Sequence, residues 1–255
     1  MEKQRIIAIS NQKGGVGKTT TTVNLGGALA RMGYQVLVVD MDPQSHLTTS
    51  LGIDEDDVDL CIAQVFEENC TIKETIFEVQ ENLDLVPATI ELANTGFLMA
   101  NAQAREHRLR MALEELPEYN FIIIDAGPGL DTLTINTLTA AQEVIIPLQA
   151  EFLSAKGVGR MFSAISDTRK YSNPDLEITG VLITMHDNRI KLHKNIEIAA
   201  KEQLKTTVFK TRIPRNIRLA EAPQMGKTIF QHDDKCAGAQ AYLKFAQEVI
   251  SIKQE

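Results

Sequence analysis

The sequence predicts an α/β protein: a doubly wound, mostly parallel sheet flanked by helices on both faces, in a single domain spanning residues 1–255. Three observations predict it. Six short apolar or β-rich runs alternate with longer stretches of helical spacing, no repeat or Pro/Gly/Ser-rich linker divides the chain, and the first run leads straight into a glycine-rich loop and a helical segment. Strands buried on both faces read as continuous apolar runs, because crossover helices cover both sides of a parallel sheet.

The predicted strands are Ile6–Ile9, Val36–Val39, Leu83–Val86, Phe121–Ile124, Val144–Ile146 and Ile178–Ile183. The amphipathic stretch Thr19–Met32 ends before Gly33, a helix-stop residue, and Gly238–Ile252 has the spacing of a closing helix. The acidic run Asp54–Asp59 reads as a solvated loop. With 44% hydrophobic and 24% charged residues the composition is that of an ordinary globular domain. No apolar run approaches the roughly 20 residues of a membrane span, and the first strand begins too early for a signal peptide, so a cytoplasmic protein with no membrane partner is expected. Cys61, Cys70 and Cys236 form no C-x-x-C pair and read as small buried hydrophobes in a reducing compartment.

After the first strand comes Lys13-Gly14-Gly15-Val16-Gly17-Lys18-Thr19-Thr20. Glycines let successive backbone N–H groups point inward, and the helix that follows presents its positive N-terminus, so the loop suits a chain of phosphates. Lys18 would reach the β/γ-phosphates and Thr19 would ligate Mg²⁺. This makes the fold P-loop NTPase-like, although Gln12 stands where the strict G-x-x-x-x-G-K-[ST] pattern has its first glycine. A second lysine, Lys13, lies inside the loop. It is placed to neutralise charge developing on a transferred phosphoryl, as an arginine finger does, for its own nucleotide or a neighbour's.

Two further runs end in carboxylates: Val36–Val39 in Asp40-Met41-Asp42-Pro43-Gln44, and Phe121–Ile124 in Asp125. Ligands of open α/β sheets sit at the C-terminal ends of strands. Asp125 suits an outer-sphere partner of Mg²⁺. Asp40 and Asp42 share a side by alternation, one near the metal and one free to orient a water on the γ-phosphate. Asp42, its backbone stiffened by Pro43, is assigned the water. The net charge of -8 hides an asymmetry, because His186–Arg218 holds nine Lys/Arg against three Asp/Glu.

These residues resemble the deviant-Walker ATPases of the ParA/MinD group. The segment Ile213-Pro214-Arg215-Asn216-Ile217-Arg218-Leu219-Ala220-Glu221-Ala222-Pro223 with Gly226-Lys227 narrows the likeness to Soj-type ParA proteins, over about Ile6 to Glu248. The resemblance implies an ATP- and Mg²⁺-dependent homodimer in which Lys13 contacts the nucleotide of the other subunit. It also implies non-specific double-stranded DNA binding on the nucleoid, stimulation by a ParB-type partner, an adenine site at Ile213-Pro214 and a place for Glu151 near the nucleotides. In the basic segment, Arg189, Arg215 and Arg218 are then the expected DNA-phosphate contacts.

The chain departs from the family's pattern in two places. It reads Ala126-Gly127-Pro128-Gly129 after Asp125, where the family usually shows Cys or Thr and two prolines, and His46 where the family often has Asn. A Gly for a Pro loosens the loop expected to sense the γ-phosphate. The alternative reading, a MinD-like membrane-positioning ATPase, calls for a basic amphipathic C-terminal helix, and Leu243–Glu255 carries little basic charge. A cluster-holding reductase or metal-insertion ATPase calls for paired cysteines, which the sequence does not offer.

Overall fold

The computed structural model describes residues 4–99, 103–116, 118–149, 155–187 and 207–252. Eight strands form one sheet: β1 (Arg5–Ile9), β2 (Val36–Met41), β3 (Phe77–Gln80), β4 (Leu83–Val86), β5 (Phe121–Ala126), β6 (Glu143–Gln149), β7 (Glu177–His186) and β8 (Val208–Pro214). The order across the sheet is β3-β4-β2-β5-β1-β6-β7-β8. Every pairing is parallel except β3 with β4.

The helices are α1 (Lys18–Arg31), α2 (His46–Ser50), α3 (Ile62–Phe66), α4 (Glu91–Leu98), α5 (Arg108–Leu113), α6 (Thr132–Ala140), α7 (Ala155–Tyr171), α8 (Ile217–Glu221), α9 (Ile229–Asp233) and α10 (Ala237–Ser251). Strand residues of one parity pack against α1 and α10: Ile7, Val36, Val38, Leu85 and Ile123 share a core with Leu25, Leu29, Tyr242 and Phe245. The other parity faces α3, α5 and α6, with Leu37, Val39, Ile122 and Ile124 against Ile62, Leu109, Leu113 and Leu133. Burial of both parities is why these strands read as unbroken apolar runs.

All six predicted strands are present, and α1 and α10 begin and end within one residue of expectation. Strands β3 and β8 were not predicted, and both are edges. A strand with one covered face carries charge on the other, and in β8 buried Val208, Phe209 and Ile213 are interleaved with exposed Lys210 and Arg212. Phe209 nonetheless anchors β8 by stacking edge-on against Phe245 of α10, centroids 4.9 Å apart. Of the cysteines, Cys61 is buried as expected. Cys70 and Cys236 are only half-buried, since Cys236 stands at the N-cap of α10, where its Sγ accepts the Ala239 N–H.

One backbone contact ties distant loops together. Gly52, just past α2, meets Gly226, which lies between α8 and α9 and has a φ of 63°. A Cβ on Gly226 would lie 2.5 Å from the Gly52 Cα. Gly226→Ala is therefore expected to destabilise the fold by about 2–4 kcal/mol, adding a backbone clash to the left-handed penalty. Gly33→Ala, also at positive φ but with open space around it, should show only the left-handed penalty of about 1–2 kcal/mol. Urea unfolding of the two variants measures the difference, and equal losses would refute the close contact.

Candidate nucleotide site

The loop between β1 and α1 is held from below and open above. Asn11, buried, donates its side-chain amide to the Pro147 carbonyl (2.7 Å) and accepts the Lys13 N–H (3.0 Å) on its Oδ1. On the far side of the loop the Thr184 hydroxyl of β7 donates to the Val16 carbonyl at 2.8 Å. Gly15 and Gly17 take φ values of 72° and 88°, which lets the chain reverse into the first turn of α1. Lys13, Gly14 and Gly15 are exposed, Val16 is buried and Thr20 is half-buried. Asn11 and Thr184 were not singled out from the sequence. Thr184 had a signal, a polar residue at the C-terminal edge of an otherwise apolar strand.

Lys18 opens α1 and is 7% exposed, and its Nζ donates to the Lys13 carbonyl at 3.3 Å. Burial pulls its pKa down, while the neighbouring carboxylates Asp125 and Asp42 oppose the shift. One turn brings the Thr19 hydroxyl to Asp125 Oδ2 (2.6 Å), and Thr22 reaches Oδ1 (3.2 Å). Asp125 is wholly buried at the end of β5. Burial, with Asp40 adding repulsion, pushes its pKa up to about 8 against the pull of Thr19 and Lys18. The donors present, a hydroxyl and a carboxylate, are the hard oxygens that Mg²⁺ takes alongside phosphates and water.

Asp40 lies beside Asp125 across the β2–β5 pairing, and its carboxylate is engaged by the protein on both oxygens. Its Oδ2 accepts both the N–H (2.9 Å) and the hydroxyl (2.8 Å) of Thr48, and its Oδ1 accepts the Asp42 N–H (3.0 Å). With no exposed surface and a pKa raised to about 6, chiefly by burial, Asp40 serves to clamp α2 against β2. Asp42 keeps an outward-facing role. Its Oδ1 accepts the Gln44 N–H (3.0 Å), its Oδ2 lies 4.0 Å from His46 Nδ1, and it remains 6% exposed. Gly127 packs on it, since a Cβ there would stand 3.5 Å from the Asp42 carboxyl carbon. The family departure after Asp125 thus falls directly on Asp42.

The remaining expectations divide. Ile213, expected at an adenine, points into the core and is 3% exposed, because it is an inward residue of β8. Pro214 ends that strand and lines an adjoining cavity. Glu151 and Arg189 lie outside the described residues. Arg215 is exposed and makes no ion pair among the described residues. Arg218 is exposed, and within the protein Glu221 meets its Nη1 at 2.8 Å and Asp233 its Nε at 3.5 Å. A cationic cavity of about 570 Å³ is formed where β8 meets α10, lined by His186, Lys210, Arg212, Pro214, Gln240 and Lys244, and the sequence reading did not include it. Lys244 belongs to a helix far along the chain, so the count over His186–Arg218 could not include it.

A glycine loop held at both shoulders, a desolvated lysine, a threonine hydroxyl on a buried aspartate and a second aspartate across the opening together define a P-loop nucleotide-binding protein of the deviant-Walker kind. The model of the "AAA domain" family matches residues 4–178. The chain is 45% identical to the sporulation initiation inhibitor protein Soj of Bacillus subtilis, over 97% of this chain and 98% of that one. It is 40% identical to the chromosome partitioning protein ParA of Caulobacter vibrioides, over 98% and 96%. The chain belongs to this Soj/ParA family. Its fold is also similar to that of cobyrinic acid a,c-diamide synthase from Mycobacterium smegmatis solved with an ATP analogue and magnesium, with a TM-score of 0.89 at 35% identity, covering 99% of this chain and 96% of that one.

Proposed function

We propose that this chain is a partitioning ATPase that binds ATP with Mg²⁺, closes into a homodimer, and in that state binds double-stranded DNA without sequence preference. Hydrolysis, stimulated by a ParB-type partner, returns it to the monomer, and its place is on the nucleoid in the cytoplasm. The observation that carries this reading is the convergence of Lys18, Thr19, Asp125 and Asp42 around one open glycine loop. Lys18 binds the β/γ-phosphates, and Thr19 with Asp125 would hold Mg²⁺, which neutralises phosphate charge when bound. Lys13, exposed on the rim, reaches the partner subunit's nucleotide, and Asp42 orients the attacking water. Relatives of nearly the same length named for chromosome partitioning, from Caulobacter vibrioides and Thermus thermophilus, support the cargo.

For DNA, the cavity lined by Lys210 and Lys244 offers backbone phosphates a set of cations, with Arg215 exposed nearby in sequence. Titrating unrelated duplexes in ATP, ADP and no nucleotide tests the reading, and equal affinity in all three would overturn it. Removing one phosphate contact by Lys210→Ala or Lys244→Ala should weaken binding on every sequence and reduce the slope of log affinity against log salt by about 0.9. Glu221→Gln should act in the opposite direction. It frees Arg218 from its shorter ion pair, so DNA binding should tighten and the slope should steepen.

A further inference from the structure

A cavity of about 760 Å³ lies at the opposite edge of the sheet, among the N-terminal ends of β1, β5, β6 and β7. Its walls are rich in hydrogen-bond acceptors. Helices α5 and α6 end on it at Leu113 and Ala140, bringing their negative C-terminal poles to the wall. Glu114, Asp175 and Glu177 stand round it. Two arginines also line it, and Arg5 is neutralised by Glu143 with three of its five N–H donors in use. Its Nε and Nη2 grip buried Glu143 at 2.8 Å each, its Nη1 donates to the Val249 carbonyl at 2.9 Å, and its guanidinium lies over the Phe121 ring. Arg110 faces Glu114 one turn away, 3.9 Å from its carboxylate. Asp175 and Glu177 have no ion pair among the described residues, so the open part of the cavity carries uncompensated negative charge.

A buried side chain points the same way. Asn173 is 4% exposed, and its amide nitrogen is fixed by the carbonyls of Leu138 (3.0 Å) and Ala141 (2.6 Å). Its Oδ1 is left with no hydrogen-bond partner among the described residues, and Asn173 is one of the residues that line this cavity. An acceptor so placed calls for an N–H donor. A metal ion fits poorly, because among the described residues no three His, Cys, Asp or Glu side chains come close enough to hold one. We propose that the cavity is a binding site for a small polyamine, whose separate ammonium groups would meet Asp175, Glu177 and the Asn173 Oδ1. Its volume is that of small-molecule sites, and buried Phe121 and Ala141 line it, apolar contacts suited to a polyamine's methylene chain. The edge is remote from Lys18 and Asp42, so occupancy is independent of the nucleotide.

Calorimetric titration of spermidine into the nucleotide-free protein tests this. One saturable site per chain is expected, with affinity at least tenfold lower in the Asp175→Asn/Glu177→Gln variant and unchanged when ADP is added. Both residues are exposed and outside the nucleotide machinery, so the variant should keep the wild-type unfolding midpoint and ATP affinity. A parallel titration with Mg²⁺ at equal charge concentration separates a shaped site from a diffuse counterion layer, and spermidine alone should give saturable heat. No saturable uptake by the wild type, equal affinity in the variant, or an equal response to Mg²⁺ would each overturn the proposal.

Discussion

Lys18→Ala is expected to lower ATP affinity by roughly 10²–10⁴-fold, the loss of two charge-assisted hydrogen bonds at about 1.5–3 kcal/mol each. The ammonium is buried near Asp125 and Asp42, and among the described residues its one hydrogen bond is a 3.3 Å contact to the Lys13 carbonyl. A desolvated cation with so little protein compensation is poised for an anion. Alanine also removes the cation that opposes the raised pKa of buried Asp125, so the fold of the variant is measured beside its affinity. Fluorescent-nucleotide titration reads the affinity, thermal unfolding reads the fold, and wild-type affinity would remove the phosphate role from Lys18. Lys13→Ala makes the contrast. Exposed on the rim, Lys13 should be dispensable for nucleotide binding by the monomer and required for dimerisation and turnover.

The parts of this molecule legible in its sequence are those set by local order. A strand, a glycine loop, Lys-Thr and a helix must bring Lys18 and Thr19 to the C-terminal edge of the sheet, and a buried strand ending at Asp125 must end at that same edge. Register then places Asp125 beside Asp40, its partner across β5 and β2. Periodicity could not tell the two aspartates of β2 and its loop apart. Their surroundings differ through Thr48, eight residues on, whose N–H and hydroxyl take one Asp40 oxygen, whereas Asp42 meets Gln44 and His46. The same limit explains Arg218, neutralised in part by Asp233 from another helix, and Lys244, brought to the basic edge by the packing of α10 on β8. Edge strands escaped for a different reason: with one face in solvent, their apolar residues alternate with charges.

Asp42→Ala should bind Mg-ATP normally, hydrolyse it roughly 10²–10⁴-fold more slowly, as expected for loss of a positioned base, and accumulate as an ATP-bound dimer on DNA. The structure supports a selective effect. Asp42 contributes its Oδ1 to a local turn through the Gln44 N–H, and its Oδ2 lies 4.0 Å from His46 Nδ1. Truncation therefore removes one turn hydrogen bond, which Pro43 helps the backbone to survive, while the Asp40–Thr48 clamp on α2 stays intact. Asp40→Ala should differ in kind. It orphans the buried Thr48 N–H and the Asp42 N–H, so it should lower the unfolding midpoint as well as activity. Phosphate release and size-exclusion chromatography with ATP distinguish the two: a stable, slow, dimeric Asp42→Ala against a destabilised Asp40→Ala. Wild-type turnover by Asp42→Ala would mean that the backbone, and not this carboxylate, places the attacking water.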